Sequence, residues 1–246
     1  MKLITTSWDD GNIADFRLAE LLEKYNLQGT FYIPASNTEH DVMTEKEIVA
    51  LSDKFEIGGH TMNHTSINNI SNELFDKEIK GCYTWLTNLI GEPPKSFCFP
   101  RGVYNRQAVD YAIKSGFEII RTTELLNPWF DKNDIVIPTT MQLFRHSELT
   151  YYKHLLKRFK IKSILLFLKS GSSSELQHIL EYYLNYILKN GGCFHLWGHS
   201  WEIEEFNLWA DLENLFRIMS DIPEFEYVNN KTLLQFKNVE LIKQVI

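Results

Sequence analysis

What this chain has little of narrows its class first. Only three cysteines occur in 246 residues, Cys82, Cys98 and Cys193. They are far apart, odd in number and set in apolar helix or strand patterns, which excludes a disulfide framework and leaves buried free thiols. Basic residues are in deficit, with 25 Lys and Arg against 32 Asp and Glu and a formal net charge of -7. A polyanion needs a basic face to bind to, so no nucleic-acid partner is expected. No linker, internal repeat or low-complexity tract interrupts the chain, and a single domain over residues 1–246 is expected. Met1 is followed at once by what reads as a core strand, with no charged n-region, apolar h-region or cleavage site. The expectation is therefore a cytoplasmic chain without a transmembrane segment.

What is present is an alternation of short apolar strands with amphipathic helices, the pattern of repeated βα units around a parallel sheet. Strand Lys2 to Trp8 leads through Asp9, Asp10 and Gly11 into a helix carrying Ile13, Phe16, Leu18, Leu21 and Leu22. Gly29 to Pro34 reads as a second strand. A helix from Thr44 to Ser52 opens on a Thr-x-x-Glu capping box, Thr44 with Glu47, and Phe55 to Gly59 is a third strand that delivers His60. A long helix from about Ser71 to Ile90 stops before Pro93-Pro94. Strand Ser96 to Pro100, helix Asn105 to Ser115 and strand Phe117 to Thr122 continue the series. A helix ending near Asn190, the strand Cys193 to His199, a helix near Glu204 to Met219 and a short strand Phe225 to Val228 complete it.

The polar residues of interest stand at the C-terminal ends of these strands: Asp9 and Asp10, His60, Pro100 and Arg101, and His199. In parallel α/β barrels that rim is where strand ends converge and the βα loops are free to vary. Neighbouring Asp9 and Asp10 point in different directions, so one can bind a metal while the other stays free. Alone, an Asp-Asp-Gly run is an ordinary turn that caps the next helix, and His60 with His64 is an ordinary pair four residues apart. Together in an ordered βα series they supply two imidazoles and a carboxylate, a set suited to Zn²⁺ or a similar first-row ion with room for water and substrate. His195 also lies four residues before a histidine, His199. In a strand that spacing is roughly 13 Å at about 3.3 Å per residue, too far for one metal, and His195 reads as a core or supporting histidine.

At these residues the sequence resembles the polysaccharide deacetylases of the NodB-homology type. Ser7-Trp8-Asp9-Asp10-Gly11 is similar to their Thr-Phe-Asp-Asp-Gly motif, and His60-Thr61 with His64, inside EIGGHTMNHTSI, is similar to their motif of two histidines four apart. Trp197-Gly198-His199 resembles their late Leu-x-His, with Trp197 in place of Leu. The resemblance implies an α/β fold, a distorted (β/α)7-type barrel. It also implies that Asp9 is the catalytic base, that Asp10, His60 and His64 ligate one divalent metal, Zn or else Co, Ni or Fe, and that His199 is the general acid.

Two departures stand out. The family's Arg-Pro-Pro-Tyr-Gly motif, whose Arg orients the catalytic Asp, is here Cys98-Phe99-Pro100-Arg101-Gly102. Cys98 stands in place of that Arg, and either Arg101 or Arg121 is expected to supply the missing charge. The family's Asp- and Trp-containing fourth motif has no clear counterpart, which leaves His199 without an assigned partner. Trp197, Trp201 and Trp209 are candidates to stack on sugar rings, although Trp is as readily a core residue. His40, His146, His154 and His178 carry no motif and default to solvated or packed roles.

The implied activity is hydrolysis of an acyl amide, acetyl above all, on an amino sugar of a glycan or glycan precursor, so the expected partner is carbohydrate. The competing readings are an amidase or esterase acting on a non-sugar small molecule, an Fe(II) oxygenase with two His and one carboxylate, and a non-catalytic glycan-binding protein. One segment lies outside the family pattern, Tyr151 to Ser170, with Lys153, Lys157, Arg158, Lys160, Lys162 and Lys169 among Leu, Ile and Phe. Its apolar run Ile164 to Leu168 is too short to span a bilayer, which takes about 20 residues. An amphipathic helix with a solvated basic face is the commoner arrangement; peripheral contact of 151–170 with a membrane or a lipid-linked anionic glycan is the alternative.

Overall fold

A computed structural model of the chain describes residues 1–67, 71–131 and 134–236. The elements alternate as the hydrophobic pattern implies. Strand β1 (Lys2–Asp9) is followed by helix α1 (Asp15–Lys24), β2 (Gly29–Ile33), α2 (Glu45–Ser52), β3 (Glu56–Gly59), α3 (Asn72–Phe75), α4 (Gly81–Ile90) and β4 (Ser96–Cys98). Then come α5 (Arg106–Ser115), β5 (Ile119–Arg121), β6 (Val136–Ile137), β7 (Met141–Gln142), α6 (Glu148–Lys157), α7 (Ile161–Lys169) and α8 (Leu176–Asn190). Strand β8 (Gly192–His199), α9 (Ser200–Glu205), α10 (Trp209–Met219) and β9 (Glu226–Tyr227) close the series.

The strands form one parallel sheet in the order β6-β5-β4-β3-β2-β1-β8-β7, with β9 also paired to β1. It is a curled half-barrel with helices around it, the distorted (β/α)7-type barrel expected. Parallel strands need crossover connections, so every C-terminal strand end faces the same rim. Register does the rest: Asp9 lies opposite Tyr32 on one side and His199 on the other, Gly59 opposite Phe97, and Cys98 opposite Arg121.

Outside the sheet, Trp8, Phe31, Leu22 and Phe216 belong to one large buried cluster, and Phe97, Phe99 and Phe117 to a second. Burial of each such side chain stabilises the fold by roughly 1.5–3 kcal/mol. Inside the barrel the filling is partly polar. Glu56 accepts from Thr30 and Ser96 at 2.7 and 2.6 Å, and Asn230 donates to the Tyr32 hydroxyl at 2.7 Å. Gly58 is required there, since a Cβ would come within 2.5 Å of the Tyr32 ring.

Several boundaries differ from the sequence reading for identifiable reasons. The helix expected over 71–90 contains a π turn at Asp76–Lys80 between α3 and α4. The helix expected over 204–219 is two, because Asn207 takes φ 53 and stops α9. Tyr151 to Ser170 also divides, at Phe159 with φ 52, into α6 and α7. Ile13 precedes α1 and stays exposed. Strands β6 and β7 have no apolar run long enough to reveal them. The capping box of α2 is present with both bonds, and all three cysteines are buried and free. Among the described residues no helix is long and apolar enough to cross a membrane.

Candidate active site

Asp9 ends β1, and Asp10 takes φ 79 in the turn that follows, so the two neighbouring carboxylates diverge. His60 leaves β3 directly, while Thr61 and His64 lie in a loop at φ 65 and φ 52. Left-handed backbone at non-glycine residues costs energy and persists where surrounding contacts fix it. Here it turns His64 back over Asp10.

Asp10, His60 and His64 offer ligand atoms that all lie within 4.8 Å of one another. The Asp10 Oδ1 atom faces Nε2 of His60 at 3.4 Å and Nε2 of His64 at 3.1 Å, yet it is buried without a hydrogen-bond partner. A carbonyl can only accept, so the 2.8 Å contact of His60 Nδ1 with the Cys98 carbonyl places the ring proton on Nδ1. In that tautomer the Nε2 lone pair of His60 points at a carboxylate oxygen. Two acceptors facing each other in a buried site call for a cation between them, so the donor set fits one divalent ion. The other oxygen, Oδ2, accepts from Trp201 Nε1 at 2.8 Å.

Asp9 is held differently. Its Oδ1 pairs with Arg121 Nη2, and its Oδ2 receives the Cys98 thiol at 3.9 Å. Burial pushes the Cys98 thiol well up, so it remains protonated. Burial disfavours the Arg121 cation, but Asp9 more than compensates and keeps it charged. The guanidinium also lies 5.1 Å from the Tyr32 ring centroid and 4.9 Å from that of Trp197. Arg121, not Arg101, therefore makes the pair with Asp9. Arg101 sits at φ 58 on the exposed rim of the site cavity, where it pairs with Glu39, whose carboxylate also faces His64 Nδ1 at 3.5 Å. Pro100 opens that turn and is buried in it.

His199 ends β8 beside Asp9, with Nε2 3.9 Å from Asp10 Oδ2. Its Nδ1 donates to Glu202 Oε2 at 2.6 Å. Burial would lower the imidazole pKa, but the Glu202 bond, then Asp10 and Asp9, raise it above the ordinary histidine value. Glu202 is the partner that the missing fourth motif left unassigned. Three residues after His199 in the first turn of α9, it was open to being read from the strand-to-helix join. Gln142 donates to Glu202 at 3.3 Å, and its carbonyl oxygen meets His146 Nε2 at 2.9 Å.

These groups line a cavity of about 640 Å³. Asp9, Asp10, His60, His64 and His199 line it together with Leu125, Gln142, His146, Thr150 and His154. His40 lines it too, stacked on Trp201 at 3.9 Å between centroids. His40, His146 and His154 were invisible as site residues in the sequence because their segments carry no recognisable spacing. Burial lowers His154 to about 4 and also lowers His146, so both are neutral acceptors or donors near neutral pH. Trp197 lines the cavity next to His199, 5.4 Å between centroids, while Trp209 is engaged with Arg17 and Glu204 elsewhere. His195 supports β1 from inside through Ser7 Oγ at 2.8 Å.

Comparison with known proteins agrees with this architecture. Residues 1–120 match the family model described as polysaccharide deacetylase. A peptidoglycan-N-acetylglucosamine deacetylase of Bacillus cereus is 26% identical over 121 residues, which is 48% of this chain and 55% of that protein. The chain spans between a third and just over half the length of the curated relatives it matches. Among solved structures, a protein described as a polysaccharide deacetylase from Mycobacterium smegmatis shares the fold with a TM-score of 0.67 at 13% identity, over 97% of this chain and 91% of that one. A family 4 acetyl xylan esterase from Clostridium thermocellum, solved with a cobalt ion, does so with a TM-score of 0.56 at 16% identity, over 96% and 92%.

Proposed function

Residues 1–120 match the polysaccharide deacetylase family, and from that premise we propose that the chain is a metal-dependent hydrolase removing an N-acetyl group from an amino sugar. The observation that carries the reading is the unpartnered Asp10 Oδ1 facing two imidazoles, next to a second carboxylate, Asp9, that Arg121 holds apart from them. The site draws on residues from Asp9 to Glu202, which supports reading 1–246 as one catalytic domain.

Asp10, His60 and His64 would hold the ion, with zinc the best match to two imidazoles and a carboxylate and cobalt, nickel or iron as substitutes. A divalent ion there supplies polarisation of the acyl carbonyl and acidification of a water. Asp9 takes the proton of the attacking water. Arg121 keeps its carboxylate oriented and Cys98 occupies its second oxygen. In the turn after β4 the Gly102 and Val103 amides bond back to Phe99 and Pro100, and Pro100 has no N–H, so the Arg101 amide is the candidate donor to the oxyanion. His199, kept protonated by Glu202, delivers its Nε2 proton to the departing amine nitrogen, which leaves as a neutral amine beside acetate.

An acid this well supported favours an amide over an ester, whose alkoxide needs less help to leave. A free base such as Asp9 has no place in an oxygenase site, and the base, acid and ligand set together speak against a purely glycan-binding role. The test is acetate release from N-acetylglucosamine oligomers set beside release from O-acetylated xylan. The proposal expects turnover of the amides by the metal-loaded protein. Turnover confined to the esters would replace it with the esterase reading.

A further inference from the structure

We propose that α6, α7 and the turn between them form a docking surface for an anionic lipid bilayer. The inner faces of the two helices are ordinary: Tyr151, Leu155, Leu166 and Phe167 are buried, and the Tyr151 and Phe167 rings meet at 5.4 Å. The outer faces are not. On α7, Ile161, Leu165 and Leu168 recur at i, i+4 and i+7 and are 69%, 54% and 51% exposed. On α6, Leu149 and Leu156 are 61% and 60% exposed, and Phe159 in the joining turn is 88% exposed. Six of the eleven exposed large hydrophobic residues among those described thus fall within this one segment. Single exposed apolar residues are normal, but a contiguous set implies something that covers it.

Charge identifies the covering partner. Residues 149–170 hold six Lys and Arg and no Asp or Glu, in a chain whose net charge is -7. Arg158 and Lys160 turn inward to Thr123 and Glu124. Lys153, Lys157, Lys162 and Lys169 are exposed and interleave with the apolar stripe. A second copy docking the same face on itself would set these lysines against one another. A bilayer with anionic headgroups satisfies both components, since lysines reach the headgroups while Phe159 and the aliphatic side chains enter the acyl boundary.

The surface is coupled to the site by position. The same helix α6 turns Thr150 and His154 into the cavity, where His154 Nε2 accepts the Leu125 N–H at 3.1 Å. The docking face and the cavity wall are two sides of one helix, so docking sets the cavity at the membrane. If the deacetylase reading holds, the natural substrate is then a saccharide anchored in that membrane.

Flotation of the full chain with vesicles of phosphatidylglycerol in phosphatidylcholine, compared with phosphatidylcholine alone, tests the proposal without any substrate. Binding is expected to the anionic vesicles only, to weaken with salt, and to fall about tenfold or more both in F159S/L165S and in K153E/K162E. Hydrolysis of a soluble N-acetylated oligomer should be unchanged in both variants. Absence of binding to anionic vesicles, or binding indifferent to both variants, overturns the proposal and leaves the deacetylase reading intact. Self-association of the native chain that F159S abolishes would assign the face to a second copy and also overturn it. Vesicle binding together with failure to release acetate would overturn the deacetylase reading alone.

Discussion

Arg121 on β5 and Asp9 on β1 form a buried ion pair across 112 positions of sequence, with side-chain exposures of 0% and 4%. The guanidinium stands under the carboxylate that is proposed to act as base, and no other carboxylate among the described residues pairs with it. Removing one partner leaves the other charged and dry. Arg121→Met should therefore destabilise the fold by about 3–5 kcal/mol and abolish most hydrolysis. Asp9→Asn combined with Arg121→Met should regain much of that stability without regaining activity. Urea unfolding measures the first effect, and a loss for the single variant below about 1 kcal/mol, the level of an exposed pair, would show that the pair does not organise the site.

The His199–Glu202 bond sets a pH dependence. Glu202 raises the His199 pKa against the lowering effect of burial. A raised pKa favours folding of the protonated state, so this contribution is full below the unfolded histidine value near 6.5 and is lost as pH rises through the folded value. Activity follows the same sign, because only protonated His199 can serve as acid. Glu202→Gln should move the alkaline limb of kcat/KM to lower pH while leaving metal content unchanged. An alkaline limb that stays in place would remove His199 from the role of acid.

Trp201 donates its indole N–H to Asp10 Oδ2 at 2.8 Å and stacks on His40. Outer partners of this kind orient a ligand and typically contribute 10–100-fold, as an order of magnitude, to metal affinity. Trp201→Phe keeps the stacking ring and removes the donor, so the zinc Kd measured against a chelator should rise by about that factor. An unchanged Kd would mean that Asp10 is positioned by its backbone alone.

The parts of the site fixed by strand ends were legible in the sequence. Asp9, Asp10, His60 and His199 stand at C-terminal ends of apolar runs, and a parallel sheet brings such ends to one rim whatever the loops do. The choice between Arg101 and Arg121 was not legible, since it depends on Arg101 lying at φ 58 and on the register of Cys98 against Arg121. Glu202 was legible in position but not in role, because its bond to His199 requires β8 to pass straight into α9. The rest of the cavity lining was hidden, since Gln142, His146 and His154 carry no motif, and only the packing of β7 and α6 against the sheet brings them to the site. The basic segment was legible as an amphipathic helix, with peripheral membrane contact as the alternative, but its sequence does not say which apolar residues stay uncovered. Only the packing of α6 and α7 reveals which of them face outward.

Metal content and hydrolysis measured together on Asp9→Asn and Asp10→Asn test the central claim most directly. One equivalent of zinc per chain is expected in the native protein and in Asp9→Asn, with acetate release surviving only in the native protein. Asp10→Asn should lose the metal, because the carboxylate that faces both imidazoles is gone. The account is contradicted if Asp10→Asn retains stoichiometric metal, or if Asp9→Asn loses the ion yet keeps its activity per ion bound.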